Sequence, residues 1–136
     1  MQALRIERVH GPARREIAKG LYAYNDAAIG KNDYRRLTIT VRNRGKVVGG
    51  LAAEMYWGGM YVNLLWMSDR YRAEGWGRSL LKAAEAEARK RGVRRVFLES
   101  FTFQAPGFYK KHGYREYGRL KQFPRGHDRV SLTKAL

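Results

Sequence analysis

The chain has no cysteine, and only three histidines and three prolines in 136 residues. Without thiols there is no disulfide framework, no cysteine nucleophile and no sulfur-bound zinc. His10, His112 and His127 form no H-x-x-x-H pair, so no metal is expected. No apolar run approaches the ~20 residues that span a bilayer. The opening MQALRIERVH lacks the apolar core of a signal peptide. The expectation is a soluble, cytoplasmic protein with no membrane partner. Acidic residues are also scarce: 12 Asp and Glu stand against 28 Lys and Arg, a formal charge of +16. Such an excess attracts polyanions, whether nucleic acid or a phosphorylated cofactor. The basic pairs Arg14-Arg15, Arg35-Arg36, Lys90-Arg91, Arg94-Arg95 and Lys110-Lys111 are spread along the chain, which reads as a solvated basic surface before it reads as a dedicated binding face.

At this length residues 1–136 are expected to form a single domain with its own core. Leu4 and Ile6 alternate with charges over residues 3–9, which predicts a first strand ended by Gly11-Pro12. Ala13, Ile17, Leu21 and Tyr24 fall at helical spacing, and the polar stretch Asn25–Tyr34 reads as a loop. Leu37, Ile39 and Val41 alternate with polar residues. With Asn43-Arg44-Gly45-Lys46 and Gly58-Gly59 as hairpin turns, they predict three antiparallel strands ending at Met67. The Gly49-Gly50 pair suggests a bulge or close backbone packing. A helix follows over about 76–91, burying Leu80, Leu81, Ala84 and Ala88. Lys82, Glu85, Arg89 and Lys90 are expected outside, with Glu85–Arg89 and Glu87–Arg91 as i,i+4 pairs. Val93–Phe101 is a strand parallel to the one before the helix. A short helix over 104–111 and strands over 114–120 and 129–133 complete an α+β order of β-α-βββ-α-β-α-β-β around a mixed, mostly antiparallel sheet.

The organising stretch is Leu64–Gly92, in which a strand end, a glycine turn and an amphipathic helix follow without a gap. That junction presents bare backbone N–H groups and the positive end of a helix dipole to an anion. Gly75 and Gly77 carry no Cβ to hold a phosphate away, and Arg72 brings a planar cationic fork. The dinucleotide fingerprint fails at Leu80, and Gly77-Arg78-Ser79 lacks the earlier glycine spacing of a P-loop. The pattern Arg72-x-x-Gly75-x-Gly77 resembles the acyl-CoA-binding motif of the GNAT superfamily of N-acetyltransferases. A second stretch, Ala105-Pro106-Gly107-Phe108-Tyr109-Lys110-Lys111-His112-Gly113-Tyr114, is similar to that family's other signature, and the element order from the hairpins onward is the family's. Together the likeness spans roughly residues 36–121. The family often carries Asn where this chain has Thr102, and a hydroxyl replaces only part of an amide's hydrogen bonding.

The resemblance implies acetyl-CoA as co-substrate and a primary amine as acceptor, joined by direct attack in a ternary complex. Pantetheine would lie between the strand ending at Leu65-Trp66-Met67 and the strand over 94–101. The pyrophosphate would sit on Arg72, Gly75, Trp76, Gly77, Arg78 and Ser79, with Thr102, Ala105, Phe108 and Lys111 lining the other side. Tyr109 matches the general acid. Its phenol, near pKa ~10, can help a thiolate leave only within the transition state, so its contribution is modest. Asn63 on the fourth strand of the expected order cannot act as a base. Glu54 is the first carboxylate candidate and Glu99 the second, and His127 lies in a late loop. The region Asn25–Tyr34 would border the acceptor. Two other readings stand beside this one. A nucleic-acid-binding module would use the charge and the aromatics Tyr22, Tyr24, Tyr56, Trp57 and Tyr61. A non-catalytic CoA-binding protein would explain the missing obvious base. An acidic macromolecular partner would suit the charge, and a monomer or homodimer would suit the family.

Overall fold

The computed structural model describes residues 2–136. The chain divides into two compact units, one up to Asn32 and one over Asp33–Leu136. The first holds one helix, α1 (His10–Ile29). Residues 3–9 do not form the expected strand. Leu4 and Ile6 are exposed and bury nothing, so a two-residue alternation among charges has no reward for extension. Pro12 opens α1 where a strand break was expected, because a first-turn residue has no intrahelical N–H bond to lose. The helix also runs five residues past Tyr24, through the stretch read as a loop, and ends where Gly30 at φ 89° donates its N–H to the Asp26 carbonyl at 2.9 Å.

The second unit is an α+β fold built on a mixed six-stranded sheet of order β1-β2-β3-β4-β6-β5. Strands β1 (Arg35–Asn43), β2 (Lys46–Tyr56) and β3 (Gly59–Met67) form two hairpins. Their turns are Arg44-Gly45 and Trp57-Gly58, each with two successive positive φ angles, as a two-residue turn between right-twisted strands requires. The second turn therefore lies one residue earlier than expected. A 3-10 turn (Asp69–Tyr71) leads into α2 (Trp76–Lys90). Next come β4 (Arg95–Phe101), α3 (Pro106–Lys111), β5 (Arg115–Leu120) and β6 (Arg129–Ala135).

Helix α2 lies across β1, β2 and β3. Its Leu80, Leu81, Ala84 and Ala88 meet Leu51, Ala53, Met55, Met60 and Val62, all buried. Gly49 serves close packing: a Cβ there would overlap the Met67 sulfur and lie 2.7 Å from the Trp66 carbonyl oxygen. Glu85 does not point outward with Arg89, as its spacing suggested. It is 1% exposed, accepts from the Tyr114 hydroxyl at 2.8 Å, and receives the Lys134 ammonium at 3.0 and 3.1 Å. The helix face is wider than its apolar residues, and β6, beyond β4, supplies the counter-charge. Glu87–Arg91 does form, at 3.9 Å.

Candidate active site

The site is built where the sheet parts. β3 and β4 run parallel but pair only over Gly59, Met60 and Tyr61 against Arg95, Val96 and Phe97. Beyond them β3 goes on for six residues and β4 for four without a shared ladder. The break coincides with a bulge on β3. Ala52 faces Leu64 while Ala53 faces Val62, so Asn63 has no register partner on β2 and its side chain is exposed. A bulge sharpens local twist and turns the strand aside. The backbone edge of Leu64–Met67 that faces β4 is thus left without a neighbouring strand. An extended ligand carrying amides could supply the missing hydrogen bonds. At the paired end the seam is held by Tyr56, Tyr61 and Phe97, with ring centroids 6.3 and 5.1 Å from Phe97.

The two sequence motifs meet beside this gap. After β3 the chain turns through Ala73 (φ 62°) and Gly75 (φ 85°) into α2. No side chain caps that end of the helix, and its first intrahelical bond runs from the Ser79 N–H to the Gly75 carbonyl at 3.1 Å. The N–H groups of Trp76, Gly77 and Arg78 precede it and have no intrahelical acceptor. Arg72 is folded back: its Nε donates to the Met67 carbonyl at 3.0 Å and its Nη1 pairs with Asp69 at 2.6 Å, so it shapes the turn as well as charging it. Gly77 faces α3, where an added Cβ would sit 3.4 Å from the Phe108 ring. The glycine turn and the second motif are therefore in contact. α3 is fixed in turn by the Ala105 N–H donating to Ser100 Oγ at 3.2 Å, a role for Ser100 that no sequence pattern announced. Lys111 is exposed at the end of α3.

Tyr109 is 8% exposed, packed edge-on against Phe108 (5.2 Å) and Tyr114 (5.8 Å). Its hydroxyl has no hydrogen-bond partner among the described residues, and burial pushes its pKa up to about 12. The phenol therefore stays protonated across the working range and keeps a donor available. Thr102 holds the last loop: its Oγ1 accepts from the Asp128 N–H at 3.0 Å and lies 3.4 Å from His127 Nδ1. His127 is thereby part of a loop anchor.

The carboxylates lie on the sheet face turned away from α2. Glu99 is occupied on both oxygens, by the Tyr61 hydroxyl (3.0 Å), Arg129 (3.3 Å) and Ser131 (2.8 Å). Burial, then the Glu99 hydrogen bond, raises the Tyr61 pKa. Glu54 stands opposite Tyr61 on one side and Arg36 on the other, with no hydrogen bond or ion pair among the described residues. Of the two candidates, Glu54 has no protein donor on its carboxylate among the described residues, whereas Glu99 already accepts three hydrogen bonds. No cluster of three or more His, Asp or Glu able to hold a metal occurs among the described residues, and no helix among them is long and apolar enough to cross a membrane.

Comparison with known proteins agrees with this fold. The model of the Acetyltransferase (GNAT) family matches residues 5–114. The chain belongs to that family. A blasticidin-S acetyltransferase from Streptomyces morookaense is 37% identical over 100 residues, 73% of this chain and 74% of the relative. A crystal structure from Agrobacterium tumefaciens, assigned as an acetyltransferase, aligns over 100% of both chains with a TM-score of 0.93 and 33% identity. A Bacillus anthracis protein assigned as a streptothricin acetyltransferase, solved in complex with acetyl coenzyme A, shares the fold at a TM-score of 0.66. It is 18% identical, over 74% of this chain and 62% of its own. This GNAT chain is accordingly an acetyltransferase, and the same core arrangement carries acetyl-CoA in a structural neighbour.

Proposed function

We propose that this GNAT protein transfers the acetyl group of acetyl-CoA to a primary amine of a small molecule, by direct attack in a ternary complex. The observation that carries the reading is the parting of β3 from β4 after three paired residues. It leaves a strand edge beside an uncapped helix N-terminus and the unpaired hydroxyl of a buried tyrosine. The relative that acts on blasticidin S supports a small-molecule acceptor over a protein one. Family membership and relatives of this kind favour a transferase over a nucleic-acid module or a silent CoA binder.

In this reading pantetheine amides pair with the free edge of Leu65–Met67. The pyrophosphate oxygens take the N–H groups of Trp76, Gly77 and Arg78, with Arg72 and Ser79 at the rim. The neutral amine attacks the thioester carbonyl carbon, and the carbon–oxygen π electrons move onto oxygen. A backbone N–H of β3 stabilises that oxyanion. The intermediate collapses, the carbon–sulfur bond breaks, and the Tyr109 hydroxyl donates to the leaving sulfur. With the phenol near 12 and a thiol near ~8.5, complete proton transfer from Tyr109 is uphill. Tyr109 works as a fixed hydrogen-bond donor, and the proton lost by the amine finally balances the thiol. Glu54, through a water, is the group we assign to accept that amine proton. Thr102, Ala105, Phe108 and Lys111 flank the donor on the α3 side.

The test is a thermal-shift titration with acetyl-CoA, CoA, ATP and sulfate at two salt concentrations, followed by thiol release on adding amines. Selective, salt-resistant stabilisation by acetyl-CoA and CoA is expected, approaching ~2.7 kcal/mol at 100 times the dissociation constant. Equal, salt-sensitive shifts by all four anions would overturn the assignment of the glycine turn.

A further inference from the structure

At the end of β4 a group of rings is held half in water. Phe101 and Phe103 stack with centroids 5.5 Å apart and an interplanar angle of 15°, Phe123 lies 6.0 Å from Phe101, and His127 stands edge-on to Phe103 at 5.1 Å. Phe103 and Phe123 are 56% and 50% exposed. Large exposed rings gathered together mark a binding surface more often than a core.

Their exposure does not come from a loose loop. Residues 121–128 are cross-tied. The Gly126 N–H donates to Gln122 Oε1 (2.8 Å), the Gln122 N–H to Asp128 (3.2 Å), the Phe123 N–H to the His127 carbonyl and the His127 N–H to the Pro124 carbonyl (both 2.9 Å). Asp128 also pairs with Arg119 at 2.9 Å and is tied through its backbone to Thr102. The shelf is thus pre-organised, and a ligand would lose little freedom of the protein on binding.

The shelf is continuous with the carboxylate row. Along β4 the residues Val96, Leu98 and Ser100 are buried, while Phe97, Glu99 and Phe101 alternate with them on the other face. Phe101 is therefore the next residue after Glu99 on that face, which is ~7 Å along the strand. Glu99 joins Tyr61, and Tyr61 faces Glu54. An apolar stacking surface one pleat from the Glu99 carboxylate matches a molecule with a flat ring at one end and an amine at the other.

We propose that the shelf of Phe101, Phe103 and Phe123 is an acceptor subsite selecting amines that carry a planar aromatic or heteroaromatic ring, with the amine directed back along β4 into the gap between β3 and β4. This rests on the acetyltransferase reading above. Phe103 and Phe123 are specificity-determining residues here and have no part in binding the donor.

The test compares 2-phenylethylamine with 2-cyclohexylethylamine, which have equal reach and similar bulk but differ in flatness. Acetylation is followed by thiol release, and binding of each amine to the CoA-bound protein by calorimetry. The aromatic amine is expected to have a kcat/KM about tenfold higher, the worth of one good stacking contact. Phe103→Ala and Phe123→Ala are expected to raise its KM severalfold, leaving the KM for acetyl-CoA and the melting temperature unchanged. Equal use of both amines, or variants with unaltered KM, overturns the proposal. Should no amine be acetylated, the transferase reading fails by itself. The calorimetric preference for the ring, lost in Phe103→Ala, then upholds the shelf, and its absence rejects it.

Discussion

Lys134→Met should be the most damaging single exchange outside the site. The Lys134 side chain is 17% exposed and its ammonium sits on both oxygens of Glu85, whose side chain is 2% exposed. Tyr114 donates to the same carboxylate and lies under the ammonium, 5.6 Å from its ring centroid. Methionine keeps most of the lysine stem's packing but leaves Glu85 buried with one neutral donor. Removing one partner of a buried pair costs about 3–5 kcal/mol, because the other charge stays desolvated. For a chain of this size that corresponds to a fall in melting temperature of ~10–20 °C. Glu85→Gln should cost less, ~1–3 kcal/mol, since the amide oxygen still accepts from Tyr114. The double variant Glu85→Gln/Lys134→Met should recover much of the loss of Lys134→Met, since no buried charge is then left without its partner. Urea unfolding of the four proteins, with a check that the m-values agree, gives the coupling energy. A loss of less than ~1 kcal/mol in Lys134→Met, or strict additivity in the double, would falsify the view that these groups act as one buried unit.

Four further outcomes are expected. Tyr109→Phe should lower kcat by roughly ten- to a hundredfold with the KM for acetyl-CoA unchanged, less than the ~10²–10³ of an oxyanion-hole donor because full proton transfer from this phenol is uphill; wild-type turnover would remove its role. Arg72→Ala should weaken acetyl-CoA binding by ~1.5–3 kcal/mol, read by calorimetry. Gly77→Ala should keep or raise the melting temperature, since a Cβ at 3.4 Å from Phe108 is ordinary contact and alanine favours helix by up to ~1 kcal/mol. The same variant should bind acetyl-CoA at least tenfold more weakly, whereas unchanged affinity would deny a close phosphate approach. Burial raises the Tyr109 pKa from 10 to about 12, so the fold holds that proton more tightly than the unfolded chain. The associated stability is present below pH 10 and lost as pH rises toward 12. Wild type should therefore lose roughly 2–3 kcal/mol more than Tyr109→Phe between pH 9 and 12 in chemical denaturation; parallel losses would refute it.

From Leu37 to Gly113 the chain was readable because short-range chemistry and tertiary demand agree there. Arg44-Gly45 makes a turn wherever it is placed, and Leu80, Leu81, Ala84 and Ala88 need the same face that the sheet offers. Two glycines and an arginine ahead of a helix carry their use in their backbone freedom. The helix over residues 13–24 was read correctly, but the strand over residues 3–9 and the break at Gly11-Pro12 were misread, because alternation over Leu4 and Ile6 has no tertiary reward and Pro12 is as compatible with a helix start as with a break. Glu85 was misread because a carboxylate's burial depends on Lys134, 49 residues away. Glu54 and Glu99 look alike in sequence, and only the partners on Glu99 separate them. The ring shelf was missed because its members lie on one strand end and one distant loop, with no spacing to announce them.

The three parallel pairs between β3 and β4 are the backbone ladder that joins one half of the sheet to the other. On one side stand the two hairpins with α2, and on the other β4, β6 and β5 with α3. A donor bound in the gap would serve as a temporary seventh strand, joining both halves where the polypeptide does not. Substrate affinity and mechanical continuity of the sheet would then be one quantity, and each departure of CoA would unfasten the fabric it had closed.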